Sequence, residues 1–225
     1  MCFSVGISFT SAVILVPLGL HCLKKTLRVN KAYWAFALLP IGFGIQQAFE
    51  GGVWWALDTN NTEMLHLSAL GFLFFSHLFW LVWIPLSSYF VETEKRSRIL
   101  FLLIAVMGAI CGTTMFLSFI LHPNMLTVSI VNHSILYETT QIYDDYFPQI
   151  VLRTVYMLIV LLPLLLSSKK HLRLLGILML LSMFISLTLF SFTFISVWCY
   201  FAALISLYIY YMVLTKSNDI EHQRT

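Results

Sequence analysis

The stretch GFGIQQAFEGGVWWAL, residues 42–57, places Gln46, Gln47 and Glu50 inside an otherwise apolar run. A carboxylate accepts hydrogen bonds, exchanges a proton or faces a cation, and each amide brings donors and an acceptor that need partners once buried. On a helix Gln46, Glu50 and Trp54 recur every fourth residue and share one face, with Gln47 and Gly51 beside it. Two further polar groups sit in apolar runs. His77 is able to shuttle a proton or to hydrogen-bond a neighbouring helix, and Arg153 is a permanent cation. Glu50 and Arg153 are obvious partners, because pairing offsets the cost of taking both charges out of water; the other fate open to Arg153 is to reach for lipid headgroups. Gln46, Gln47, Glu50, His77 and Arg153 are therefore the candidate binding residues, with Trp54, His122, Asp144 and Asp145 as secondary ones. The competing roles are structural: amide bonds that only hold helices together, an interfacial His122, and Trp54 and Trp55 in an aromatic belt.

The elements that position these residues follow from composition. The chain is 60% hydrophobic and 10% charged, with a mean hydropathy of +0.88, whereas soluble domains carry about 25% charged residues. This is the profile of an integral membrane protein whose first partner is the lipid bilayer. A spanning helix needs about 20 apolar residues, and such runs recur at about 3–22, 33–57, 66–91, 99–121 and 148–168. Residues 174–214 contain no charge and would form a helix about 60 Å long, twice the hydrocarbon thickness. They are divided near Ser191-Phe192-Thr193-Phe194 into spans at 174–190 and 195–214. The expected fold is all-α, a single domain over 1–225 forming a seven-transmembrane-helix bundle.

Charge sets the orientation. With the N-terminus outside and the C-terminus cytoplasmic, the inner segments hold Lys24, Lys25, Arg28, Lys31, Lys95, Arg96, Arg98, Lys169, Lys170, Arg173, Lys216 and Arg224. Only Arg153 of the 13 basic residues is left over. The outer segments carry Asp58, Glu63, Glu138, Asp144 and Asp145 without Lys or Arg, as the positive-inside rule expects. The net charge of +3 thus reports topology, and no nucleic-acid partner is expected. Met1-Cys2-Phe3-Ser4 offers no basic region or cleavage site, so the first run is read as a helix of the mature chain.

The longer outer loop, about 122–147, contains LTVSIVNHSILYE, residues 126–138, rich in β-branched residues around Asn132-His133. It reads either as a short β-hairpin over the outer mouth of the bundle or as an irregular loop on the membrane surface. Gly108-x-x-x-Gly112 marks a close helix contact. Cys2, Cys22, Cys111 and Cys199 are scattered, with no metal-ligand spacing, and no cofactor is expected.

Met1-Cys2-Phe3-Ser4 together with Gly44-x-Gln46-Gln47-x-x-Glu50-Gly51-x-x-Trp54 resembles a family of uncharacterised prokaryotic multi-spanning membrane proteins. The resemblance implies a bacterial inner-membrane protein and carries no activity with it. A retinal protein is not indicated, since the seventh span has no lysine, and residues 195–214 lack the histidines of the seven-helix ceramidase and adiponectin-receptor type. The function expected from the residues is an outward-facing polar pocket that binds, senses or transports a small polar solute or a proton. The alternatives are an intramembrane enzyme, in which Glu50 and His77 with His122 or Asp144 hold a metal or act as acid and base, and a structural subunit whose polar cluster only fixes packing. A reporter fused after Thr225 should lie in the cytoplasm and one inserted near Asn60 outside; an external C-terminus would remove the seven-span topology.

Overall fold

The structure, a computed structural model, describes residues 4–131, 133–139 and 149–222. Asp144 and Asp145, and Asn132 of the hairpin stretch, lie outside the described residues.

The described residues form seven helical rods and one two-stranded hairpin. The first rod, α1 (Val5–Val29), starts at Ser4, whose hydroxyl accepts from the Ile7 N–H, the ordinary way of satisfying a free helix N-terminus. A 3₁₀ turn leads into α2 (Trp34–Ala37) and then α3 (Leu39–Asp58). The expected single helix over 33–57 is interrupted at Leu38 because Pro40 has no N–H to continue the ladder, and it serves instead in the first turn of α3. Asn61 caps α4 (Thr62–Leu73) by accepting from the Met64 N–H at 3.0 Å. This rod continues through a wide π turn, Phe74–Phe79, into α5 (Trp80–Val91). Next come α6 (Lys95–Leu121), strands β1 (Leu126–Val131) and β2 (Ser134–Thr139), α7 (Gln149–Leu165), α8 (Lys170–Leu189) and α9 (Phe194–His222). The helix break at Phe190–Thr193 falls at the division expected from the length of the uncharged run.

Five helices are long and apolar enough to cross a membrane: Val5–Val29, Thr62–Val91, Lys95–Leu121, Lys170–Leu189 and Phe194–Val213. The shorter α7 and the polar-bearing α3 complete the bundle. Large apolar side chains point outward along α6 (Leu103, Val106, Ile110, Leu121) and α8 (Leu181, Phe184, Leu189), the reverse of what a water-facing helix shows.

The π turn corrects one expectation. A regular helix would put His66, Leu70, Leu73, His77 and Trp80 on one face, but the extra residue in the turn rotates the helix beyond it. His77 packs edge-on against Phe119 of α6, whereas Trp80 stacks on Phe43 of α3 with centroids 4.0 Å apart. The wide turn needs room, and α6 supplies it with small residues. A Cβ on Gly112 would come within 2.8 Å of the His77 carbonyl oxygen, and one on Gly108 would overlap the Leu81 carbonyl. The Gly-x-x-x-Gly spacing is thus a packing contact.

The end of the bundle opposite the hairpin is fastened by Glu92, which immediately follows α5. Its Oε1 accepts from the N–H groups of Thr93 (2.8 Å) and Glu94 (3.2 Å) and from the Ser168 hydroxyl (2.6 Å). Its Oε2 accepts from the Ser167 hydroxyl (3.0 Å) and the Ser168 N–H (2.8 Å). Burial pushes this carboxyl up, but the donors of Ser168, Glu94 and Thr93 outweigh it and hold the pKa down at about 2. A carboxyl depressed on folding stabilises fully above the unfolded carboxylate range and loses that contribution as the pH falls through its folded value. Glu92→Gln should therefore melt below the wild type at neutral pH, with the difference closing as the pH approaches about 2. A melting difference that does not change with pH would show that the charge contributes nothing.

Candidate functional site

Glu50 is fully buried on α3, as are Gln46 and Gln47. Glycines let the neighbouring helices close around it. A Cβ on Gly51 would meet the Phe9 ring of α1 at 3.0 Å, and one on Gly52 would come within 2.6 Å of the Ser68 hydroxyl of α4. Within this space each carboxylate oxygen has a donor. Gln47 Nε2 donates to Oε2 at 2.9 Å, and the Ser196 hydroxyl of α9 donates to Oε1 in a short hydrogen bond. Gln46 Oε1 accepts from Trp80 Nε1 of α5 at 2.8 Å, and the Cys199 thiol lies beside Gln46 and Glu50. The polar run of α3 therefore joins three rods. Several buried atoms of this neighbourhood have no partner among the described residues: Gln46 Nε2, Gln47 Oε1, Trp54 Nε1 and the Tyr137 hydroxyl.

The expected ion pair is not formed. Glu50 is engaged by Ser196 and Gln47, and no hydrogen bond or ion pair engages Arg153 among the described residues. Similar depth along two helices does not bring their side chains to the same face, and these two point to different compartments.

Arg153 instead lines a cavity of about 690 Å³ under the hairpin. The walls come from the π turn (Ser76, His77), the hairpin (Tyr137, Glu138), α7 (Leu152, Arg153, Tyr156), the α8–α9 break and the start of α9 (Phe194, Trp198, Cys199). The hairpin is regular: Leu126 pairs with Thr139 and Val131 with Ser134, and His133 in the turn has φ 59°. Its alternation drives Ile135 and Tyr137 inward. Tyr137 stacks flat on Phe72, with centroids 4.7 Å apart and planes 3° from parallel. The hairpin thus plugs into the helix bundle and does not rest on its surface.

His77 and Arg153 share this cavity, while Gln46, Gln47 and Glu50 form a separate buried cluster behind the wall made by Tyr137 and Cys199. Trp54 is buried and takes no part in an outer belt, whereas Trp55 is half exposed. His122 is exposed at the C-terminus of α6. Tyr137, Trp198 and Ser196 were not evident from the sequence. Tyr137 had a weak signal in the alternation of its strand, and Ser196 in a face of small residues with Cys199 and Ala203. Among the described residues, no group of three His, Cys, Asp or Glu side chains is placed to hold a metal ion. The metal-dependent alternative therefore has no ligand set among them.

Residues 1–224 match the model of a family of unknown function, DUF6629, and the chain belongs to that family. No curated protein and no solved structure matches it.

The separation of Glu50 from Arg153 has an energetic consequence. Glu50→Leu should destabilise by about 1–3 kcal/mol, because it strands the Ser196 and Gln47 donors, whereas Arg153→Met should leave detergent melting nearly unchanged. The double substitution Arg153→Met with Glu50→Leu should show the sum of the two single effects. Partial recovery in the double variant would reinstate the ion pair.

Proposed function

We propose that this family member is a multi-pass membrane protein, bacterial and of the inner membrane, whose cavity under the hairpin binds a small polar solute from the outer side for sensing or transport. The N-terminus is outside and the C-terminus cytoplasmic. Support for that orientation comes from the basic residues, which gather at the inner ends of the apolar runs and leave only Arg153 elsewhere. The observation that carries the binding reading is Arg153, unpaired among the described residues, in the same cavity of about 690 Å³ as His77, a volume within the size range of small-molecule sites. Arg153 is only partly buried near the start of α7, and a cation that no described residue engages is suited to a visiting group.

Glu50, Gln46 and Gln47 have a different part in this reading. They tie α3 to α9 and α5, and α9 carries Trp198 and Cys199 into the cavity wall. They are positioning residues, and the solute meets the other face of that wall.

One observation favours the enzyme alternative. The Ser76 hydroxyl lies 2.9 Å from His77 Nδ1, and both residues line the cavity. A serine nucleophile needs a base that is itself oriented by a third polar group. The ring of His77 packs against Phe119, which provides no such group, so binding is the better-supported reading.

The test is accessibility. In a background lacking Cys2, Cys22, Cys111 and Cys199, a membrane-impermeant maleimide added outside should label cysteines placed at Arg153 and Tyr156 and spare one placed at Glu50. Protection of both cavity positions would overturn the outward-facing cavity.

A further inference from the structure

The cavity under the hairpin carries charges of both signs that do not meet. Glu138 of β2 and Arg153 of α7 line it together, the first exposed and the second half-buried, so each keeps accessible surface. The Glu138 carboxylate is steadied by its cross-strand neighbour: Oε2 accepts from the Thr127 hydroxyl at 3.0 Å, while Oε1 accepts from no described residue. Arg153 has no hydrogen bond or ion pair with any described residue, Glu138 included, and its guanidinium presents five N–H donors. The two groups stand on separate elements, a helix and a hairpin that is held in place by the stacking of Tyr137 on Phe72. Of the other ionisable side chains in the lining, His77, Tyr137 and Cys199 are buried. Selection by charge therefore falls to Glu138 and Arg153.

We propose that the cavity binds a small zwitterion, its carboxylate or phosphate at Arg153 and its ammonium at the free oxygen of Glu138. This rests on the solute-binding reading and names the ligand class. An anion alone would share the cavity with the Glu138 carboxylate, and a cation alone would share it with Arg153; like charges brought together in one site oppose binding. A molecule with both charges forms a charge-assisted hydrogen bond at each end, and such bonds are about twice as strong as neutral ones. It also bridges two side chains that do not reach each other. The hydrocarbon between its charges meets Met115 and Leu152, half-buried members of the lining. A free amino acid has this chemistry, and so does the headgroup of an ethanolamine phospholipid. The second source is near, since Ile150 and Val151, which precede Leu152 and Arg153 at the start of α7, are exposed apolar residues of the kind that lipid covers.

The test is calorimetric titration of the full chain in the uncharged detergent dodecylmaltoside. Glycine, β-alanine, γ-aminobutyrate and ε-aminohexanoate sweep the distance between the two charges, and for each length the plain carboxylate and the plain amine are the controls. At the best length the zwitterion should bind at least about ten-fold tighter than either control, the effect of one charged hydrogen bond. Glu138→Gln should abolish the preference over the carboxylate, and Arg153→Gln the preference over the amine. Glu138→Asp and Arg153→Lys keep the charges and should retain both preferences, so a merely structural role is distinguished from charge recognition. The melting of each variant without ligand checks its folding, and the charge-conserving pair keeps the test decisive if a glutamine variant does not fold. Dihexanoyl phosphatidylethanolamine titrated beside glycerophosphoethanolamine separates the sources: tighter binding of the lipid upholds the zwitterion as a headgroup, and equal binding upholds it as a free solute. A carboxylate or an amine that binds as tightly as the matched zwitterion would overturn the inference while leaving a solute-binding cavity in place. Binding by none of these compounds would overturn both the inference and the reading on which it rests.

Discussion

A carboxylate enclosed by apolar helices requires a donor for each oxygen, and Glu50 meets that requirement with one partner on its own helix and one on α9. Much of the bundle is arranged around this demand. Glycines at 51 and 52 bring α1 and α4 close, Gln46 engages Trp80 on the rod α4–α5, and Ser196 fixes the start of the last helix. Removing a buried group's partner costs more than the hydrogen bond contributes, since the group left behind has been taken out of water without compensation. The polar run of α3 therefore acts as a fastener at the centre of three rods. Its position also determines where α9 presents Trp198 and Cys199.

The cavity owes its shape to two departures from regular helix. The π turn at Phe74–Phe79 swings His77 away from the Trp80 side and toward α6, and the glycines at 108 and 112 let α6 lie close enough to close that side. At the other edge, the break between α8 and α9 exposes Ser191 to Ile195 to the cavity. The hairpin covers the remainder and is anchored by the stacking of Tyr137 on Phe72. Irregular backbone is tolerated within an apolar bundle where it lines a polar space, and both irregular segments here do so.

Glu92, at one end of the bundle, and Glu50, inside it, show the same physics. Glu92 collects five donors where chain turns bring backbone N–H groups together, so it remains charged and pins α5 to the link between α7 and α8. Glu50, deep in the bundle, has side-chain donors from Gln47 and Ser196. Arg153 differs from both: the described residues bring it no hydrogen bond or ion pair, and it lines the cavity under the hairpin.

Residue order along the chain determined what is local or one-dimensional. Apolar run lengths set the number of rods, the absence of charge over 174–214 forced a break near Ser191, and the alternation of residues 126–138 with Asn132-His133 at its centre admitted a hairpin. The i, i+4 spacing of Gln46 and Glu50 put them on one buried face. Tertiary structure decided which face met which neighbour. Glu50 and Arg153 lie at similar depths, but depth is one coordinate, and helix rotation placed one against Ser196 and the other in the cavity. The rotation at His77 depended on a single inserted residue in a π turn, for which a run of apolar residues carries no periodic signature. The burial of Trp54 beside an exposed Trp55, and the insertion of Tyr137 between helices distant in sequence, likewise followed from packing, because a side chain's partners across a bundle are fixed by the docking of whole rods.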